Sequence, residues 1–234
     1  MTDHDTVAGL ASAAERATSR GVIFVPGIEL TTYEHGQVIH VLGYGFEPGD
    51  EGLAERNAIA QQVWGDNQRR WIEALREAGH ELNYERDFKG PLRLPVLIER
   101  LCLAGVSGGD PRACHREFRA FFAALPSRAY AALATPAQAA SVIRNAGGVA
   151  VLAHPYSLSS ETLISTTAKT CDGIEALYGR YDHDQRARLL DLCAREKLLA
   201  SAGSDYHGYF EGGYKNPKLS LPADVLGRLA GVSP

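Results

Sequence analysis

The sequence predicts an α/β protein built on parallel strands, and three observations carry that expectation. Short, continuously apolar runs recur along the chain, as in GVIFVP (21–26), GGVAVLAHP (147–155) and LLASAGSDYH (198–207). Such runs suit strands buried on both faces of a parallel sheet. Amphipathic stretches of helical length separate them, and several of the runs end in Glu, His or Asp, residue types that β/α enzymes collect at one end of the sheet. Repeated units of this length fit either a barrel or a doubly wound sheet.

Taken in order, residues Thr6 to Arg20 predict a helix. Asp5 or Thr6 is placed to cap it, Val7, Leu10, Ala14 and Ala17 share one face, and Gly21 stops it. GVIFVP is then expected as a strand, with GIEL (27–30) following at once. A polar turn at Tyr33 to Gln37 leads into a further strand, VIHVLGYGF (38–46). A long amphipathic helix is predicted from Asn57 to Ala78. Between Gly79 and Ala134 the sequence has short helical patterns interrupted at Gly90-Pro91, Pro95, Gly105, Gly108-Gly109, Pro111 and Pro126, with almost no strand-like run. That stretch reads as a helical insertion or cap. Alternation resumes with a helix at Pro136 to Asn145, the strands GGVAVLAHP and CDGIEALY (171–178), a helix at His183 to Glu196, and the strand LLASAGSDYH.

Composition narrows the functional classes. At 234 residues the chain is long enough for one sizeable domain with a smaller insertion. A net charge of −4 and a pI near 6.1 leave no basic footprint for duplex nucleic acid, while a nucleotide-sized substrate stays compatible. The cysteines Cys102, Cys114, Cys171 and Cys193 form no C-x-x-C pair, so reduced, buried thiols in a cytoplasmic protein are expected. No apolar run approaches the roughly 18 residues of a membrane span, so no membrane partner is expected.

Glu29 follows the first apolar run, His154 ends another, and Asp205 and His207 close the last; His40 lies within a strand, and His4 sits at a turn before the first helix. Taken singly, each reads most simply as a hydrogen-bonded structural residue. Together they would leave several costly polar groups side by side unless hydrogen bonds or a metal satisfied them. Imidazole and carboxylate without thiolate suit zinc, manganese or iron, and a carboxylate among several histidines suits more than one ion. Paired ions clamp the attacking and leaving oxygens of a phosphoryl displacement.

Five motifs appear in order: T-D-H-D (2–5), G-I-E (27–29), H-V-L-G-Y (40–44), L-A-H-P (152–155) and S-D-Y-H-G (204–208). On these the chain resembles the polymerase-and-histidinol-phosphatase (PHP) family of metal-dependent phosphoesterases, in particular its stand-alone bacterial members. The resemblance implies a distorted (β/α)7 barrel, formed here by residues 1–56 and 135–234, with 57–134 as the helical insertion. It also implies up to three divalent ions held by His4, Glu29, His40, His154, Asp205 and His207, with Glu29 bridging, and hydrolysis of phosphomonoesters by a metal-activated water.

Members of that family carry a first strand with a D-L-H-x-H motif and a nearby Asp, which this sequence does not contain. The expectation is therefore an N-terminally truncated barrel with fewer ions and exposed sheet edges. In the insertion, Arg93 of LRLPVLIERL and Arg128 of SRAYAAL are candidate contacts to the substrate phosphate. His35, His80, His115 and His183 read as surface or loop residues, and Trp64 and Trp71 as packing between insertion and barrel. The implied substrate is a small phosphorylated metabolite, foremost a nucleoside 3',5'-bisphosphate. The alternatives are a 5'-to-3' exonuclease acting on short RNA oligonucleotides and an inactive metal- or nucleotide-binding remnant.

Overall fold

The computed structural model describes residues 1–79, 94–103, 105–123, 129–207 and 227. They fall into two compact units, one of Met1–Ala60 with Leu133–Ser204, the other of Gln61–Ala132 with Asp205 to His207.

The first unit is a curled, mixed sheet of six strands in chain order: β1 (Thr2–His4), β2 (Gly27–Glu34), β3 (Gln37–Tyr44), β4 (Val149–Leu152), β5 (Gly173–Tyr178) and β6 (Leu199–Gly203). β1 is parallel to β2, and β4, β5 and β6 are parallel to one another, but β3 runs against both of its neighbours. This corrects the expectation of parallel strands throughout. The cause is local: β2 and β3 are joined through His35 and Gly36 alone, at φ 51° and 77°. A two-residue connection with positive φ at both positions makes a hairpin, and a hairpin can only join antiparallel strands.

Helix α1 spans Leu10–Thr18, shorter than predicted, and its N-cap is Gly9 rather than Asp5 or Thr6. Gly21, at φ 66°, ends it as expected: its N–H donates to the Thr18 carbonyl while that of Val22 reaches back to Ala17, the paired bonds of a Schellman motif. GVIFVP is then not a strand. Pairing with β1 begins only at Thr2 opposite Gly27, and Val22 and Ile23 are 59% and 75% exposed. At the end of the run the Pro26 carbonyl accepts the N–H of Gly45.

Helices α5 (Pro136–Asn145), α6 (Glu161–Ala168) and α7 (His183–Glu196) also belong to this unit. α5 and α7 open on reciprocal capping boxes, Thr135 with Gln138 and Asp182 with Gln185, which fixes their starts at the predicted residues. Strand alternation sorts side chains between two faces. Ile28, Leu30, Ile39, Val41, Ala150, Leu152, Ile174 and Ala176 enter the main core with α5, α6 and α7, whereas Glu29, Thr31, His40 and Glu175, one position out of phase, do not. Leu42, Val151, Ala153 and Leu199 form a smaller apolar cluster of their own.

Cys171 and Cys193 lie in the main core, and burial pushes each thiol up to about 11. At pH 8 only about one in a thousand of either is thiolate, the reactive form. Native protein treated with iodoacetamide at pH 8 should leave both unmodified, and denatured protein should not. Because these pKa values are raised by folding, their contribution to stability is complete below the unfolded thiol range and is lost as pH rises towards 11.

Helix α2 (Glu51–Glu77) begins in the first unit and continues into the second. There it joins α3 (Leu94–Leu103) and α4 (Pro111–Ala123) around a core of Trp71, Leu75, Leu97, Ile98, Leu101, Cys102, Cys114 and Phe118. Trp64 packs on this cluster with its ring centroid 6.2 Å from that of Trp71. The two tryptophans thus pack within the helical unit. No described helix is long and apolar enough to cross a membrane.

Candidate metal centre

The strand registers explain why four distant residues meet. His4, the last residue of β1, is opposite Glu29 of β2. Two positions further along β2, Thr31 is opposite His40 of β3, and the His40 carbonyl accepts the N–H of Ala153, the residue before His154. Paired residues project to the same side, so His4, Glu29 and His40 share the face that the main core leaves free.

Glu29 is the hub and is 5% exposed. Its Oε1 lies 2.9 Å from His40 Nδ1 and 3.2 Å from His154 Nε2, and its Oε2 lies 3.6 Å from His4 Nε2. His40 Nδ1 and His154 Nε2 are themselves 3.1 Å apart. The rings of His4 and His40, and of His40 and His154, meet edge to face at centroid distances of 4.8 and 5.1 Å. Burial alone would raise the Glu29 carboxyl. The adjacent imidazoles of His40 and His4, with hydrogen bonds from His154 and His40, outweigh it and hold the carboxyl well below its usual range.

Several surrounding groups hold this cluster in place. Asp5 is 1% exposed and, at φ 49°, left-handed. Its carboxylate accepts from the Thr31 N–H and from the Thr31 hydroxyl, both at 2.7 Å, and its own N–H donates to the Glu29 carbonyl at 3.0 Å. Asp5 thus ties the His4 turn to β2 at Glu29 and at Thr31. His154 has Nδ1 3.0 Å from the Ser157 hydroxyl, which turns Nε2 towards Glu29, and the Tyr178 ring stands edge-on to its imidazole. Tyr44, partly buried and facing the fields of Glu175 and Glu29, has its phenol pushed up by desolvation and by those carboxylates.

The donor set fits a divalent ion. Atoms bonded to one ion at about 2.0–2.2 Å lie roughly 2.8–3.6 Å apart at octahedral and tetrahedral angles. The spacings from Glu29 to its imidazole neighbours, 2.9 to 3.6 Å, fall within that interval, and the ligand atoms of His4, Glu29 and His40 all lie within 4.8 Å of one another. His4, Glu29 and His40 are a set able to hold a metal ion, and His154 sits against the same carboxylate.

Asp205 and His207 belong to the second unit, where His207 Nδ1 lies 3.1 Å from the Asp205 carbonyl oxygen and 3.3 Å from its carboxylate. Asp205, two residues beyond the end of β6, takes φ 48°. Arg93, Arg128 and His80 lie outside the described residues, as does the His115 side chain. His35 and His183 are exposed.

Sequence reasoning passed over Asp5 as anything but a helix cap, and it passed over Glu175 entirely. The signal for Glu175 was a second G-I-E tripeptide, Gly173-Ile174-Glu175, matching Gly27-Ile28-Glu29. The two copies pack alike. A Cβ on either glycine would come within 2.7 Å of a carbonyl oxygen of the adjoining segment, that of Met1 or Leu199. Both isoleucines are fully buried, and both glutamates are buried, at 5% and 4% exposure.

Comparison with known proteins fits this arrangement. A phosphoribosyl 1,2-cyclic phosphate 1,2-diphosphodiesterase from Eggerthella lenta is 33% identical over 217 residues, covering 90% of this chain and 82% of that protein. A 3',5'-nucleoside bisphosphate phosphatase from Chromobacterium violaceum is 29% identical over 91% of this chain and 78% of its own length. The 5'-3' exoribonuclease Rnm of Escherichia coli is 29% identical over 97% of this chain and 80% of its own length. Among solved structures, an amidohydrolase from Chromobacterium violaceum holding sulfate and no metal superposes with a TM-score of 0.79 at 26% identity, over 97% of this chain and 85% of that one. No family-level sequence model matches the chain. The sequence and fold place the chain among phosphoesterases, and its buried imidazole–carboxylate cluster is one that could hold a metal ion. The chain belongs to the phosphoesterase family that includes the Eggerthella diphosphodiesterase.

Proposed function

We propose that the chain is a PHP-type metal-dependent phosphoesterase that hydrolyses a phosphate ester on a small ribose-bearing molecule, foremost the phosphomonoester of a nucleoside 3',5'-bisphosphate. The observation that carries this reading is the Glu29 carboxylate set among His4, His40 and His154 at the spacing of donors around a common ion. Its Oε1 faces His40 and His154 and its Oε2 faces His4, so both carboxylate oxygens are presented to imidazole donors. A divalent ion held there supplies an activated water and offsets charge on the phosphate oxygens. The protein's part is to keep the imidazoles oriented, through Asp5 and Ser157, and to hold Glu29 ionised.

The substrate class rests on what the relatives share. A phosphoribosyl cyclic phosphate, a nucleoside bisphosphate and RNA are the substrates named for them, and all place a phosphate on ribose. The net charge of −4 favours a small substrate over a polymer, whose binding draws on phosphate neutralisation. Purified protein with added manganese should hydrolyse a nucleoside 3',5'-bisphosphate with kcat/KM at least about tenfold above that for phosphoribosyl 1,2-cyclic phosphate or a 5'-phosphorylated RNA hexamer, and a chelator should abolish the activity. Preference for the hexamer would make it an exonuclease, and no turnover of any of the three would overturn the reading.

A further inference from the structure

The loop that carries His154 is held by a residue to which neither the family resemblance nor the relatives assign a role. His154 takes φ 24° and ψ 60°, a conformation that costs energy for a residue with a side chain. After Ala153, whose N–H still donates to the His40 carbonyl, the backbone turns out of the sheet. The His154 N–H then donates to Glu175 Oε2 at 2.8 Å, a side chain of the neighbouring strand taking the place of a backbone carbonyl. Glu175 is 4% exposed. Its other oxygen occupies the space in front of Gly203 on β6, where an added Cβ would stand 1.8 Å from Oε1.

We propose that Glu175 is a positioning residue that seats the His154 imidazole through its backbone N–H, and that position 203 is glycine because any side chain there would displace the Glu175 carboxylate. Three consecutive parallel strands thereby cooperate on one ligand: β4 presents it, β5 anchors its amide, and β6 leaves room for the anchor. The inference rests on His154 being a metal ligand only in its second readout, so the two can fail separately.

The test uses the full chain and the variants Glu175→Ala, Glu175→Gln, Gly203→Ala, His154→Ala and the double variant Glu175→Ala/His154→Ala. In metal-free protein, hydrogen exchange of the His154 amide should accelerate at least about tenfold in Glu175→Ala and Gly203→Ala and stay near wild type in Glu175→Gln, whose amide oxygen still accepts. Affinity for manganese, measured by chelator competition, should fall roughly 10–100-fold in Glu175→Ala and Gly203→Ala, the usual cost of losing an outer partner of a ligand. Glu175→Gln should remain within about threefold of wild type. In the His154→Ala background, Glu175→Ala should weaken binding no further, because its effect passes through His154.

Unchanged exchange in Glu175→Ala, a Glu175→Gln as impaired as the alanine variant, or an undiminished effect without His154 would each overturn the proposal. If Glu175→Ala does not fold, Gly203→Ala carries the same comparison, since the group that must yield there is the end of a flexible side chain. Wild-type protein that binds no manganese would sink the metal reading, while amide exchange would still decide the role of Glu175.

Discussion

Glu29→Gln should lower kcat/KM on the preferred phosphate ester by about 10³-fold or more, and should cost the protein its divalent ion. Removing an outer partner of a metal ligand costs roughly 10–100-fold. Glu29 is the contact common to His4, His40 and His154, so its loss should exceed that range. Glutamine keeps the size and one acceptor oxygen. It removes the negative charge and turns an N–H₂ group towards imidazole nitrogens that must present lone pairs to an ion. The three histidines are then left as neutral donors with no anion to balance a divalent charge in a buried setting. Steady-state kinetics and metal affinity on the same preparations check this. A Glu29→Gln protein with activity within tenfold of wild type would mean that the cluster is not the seat of the chemistry.

The second large effect is on stability. Asp5→Ala should destabilise the metal-free protein by about 3–5 kcal/mol and lower its Tm by roughly 10 °C. The variant loses two short hydrogen bonds to Thr31, leaves the Thr31 N–H buried without its acceptor, and places alanine at φ 49°. Unsatisfied buried donors cost about 1–3 kcal/mol and left-handed alanine about 1–2 kcal/mol. Asp5→Asn should cost only about 1 kcal/mol, because asparagine tolerates that conformation and its amide can both accept from the Thr31 N–H and donate to the Thr31 hydroxyl. Thermal and urea denaturation of both variants, with metal removed, make the comparison. A shift for Asp5→Ala within about 0.5 kcal/mol, as for an ordinary surface position, would refute the clasp.

Residue patterns determined locally were legible in the sequence. The limits of α5 and α7 follow from Thr135-Pro136 and Asp182 with a glutamine three residues on, and Gly21 stops α1. What depends on pairing between strands was not. GVIFVP has the composition of a buried strand, yet whether it joins a sheet depends on pairing with other segments, which no property of residues 21–26 encodes. The direction of β3 was available in principle from the two-residue turn His35-Gly36, but apolar alternation carries no sign and the parallel reading prevailed.

The site divides in the same manner. His4, Glu29, His40 and His154 stand out because imidazole and carboxylate are unusual among apolar neighbours, and residue type alone marks them. Asp5 was misread because an aspartate just ahead of a helix has a common local use, capping, while its actual partner Thr31 is 26 positions away. Glu175 looks like the outward residue of a half-exposed strand. Only the packing of β6 through Gly203 shows that the face it occupies is buried.

The central claim is that Glu29 and the imidazoles around it hold a divalent ion. Anomalous diffraction at the manganese or zinc edge from crystals of the metal-loaded chain tests it most directly. The account predicts a peak within about 2.0–2.3 Å of a Glu29 oxygen and of at least two of the nitrogens His4 Nε2, His40 Nδ1 and His154 Nε2, absent from Glu29→Gln crystals. No peak at Glu29 in fully loaded crystals, or one that persists unchanged in Glu29→Gln, would contradict it.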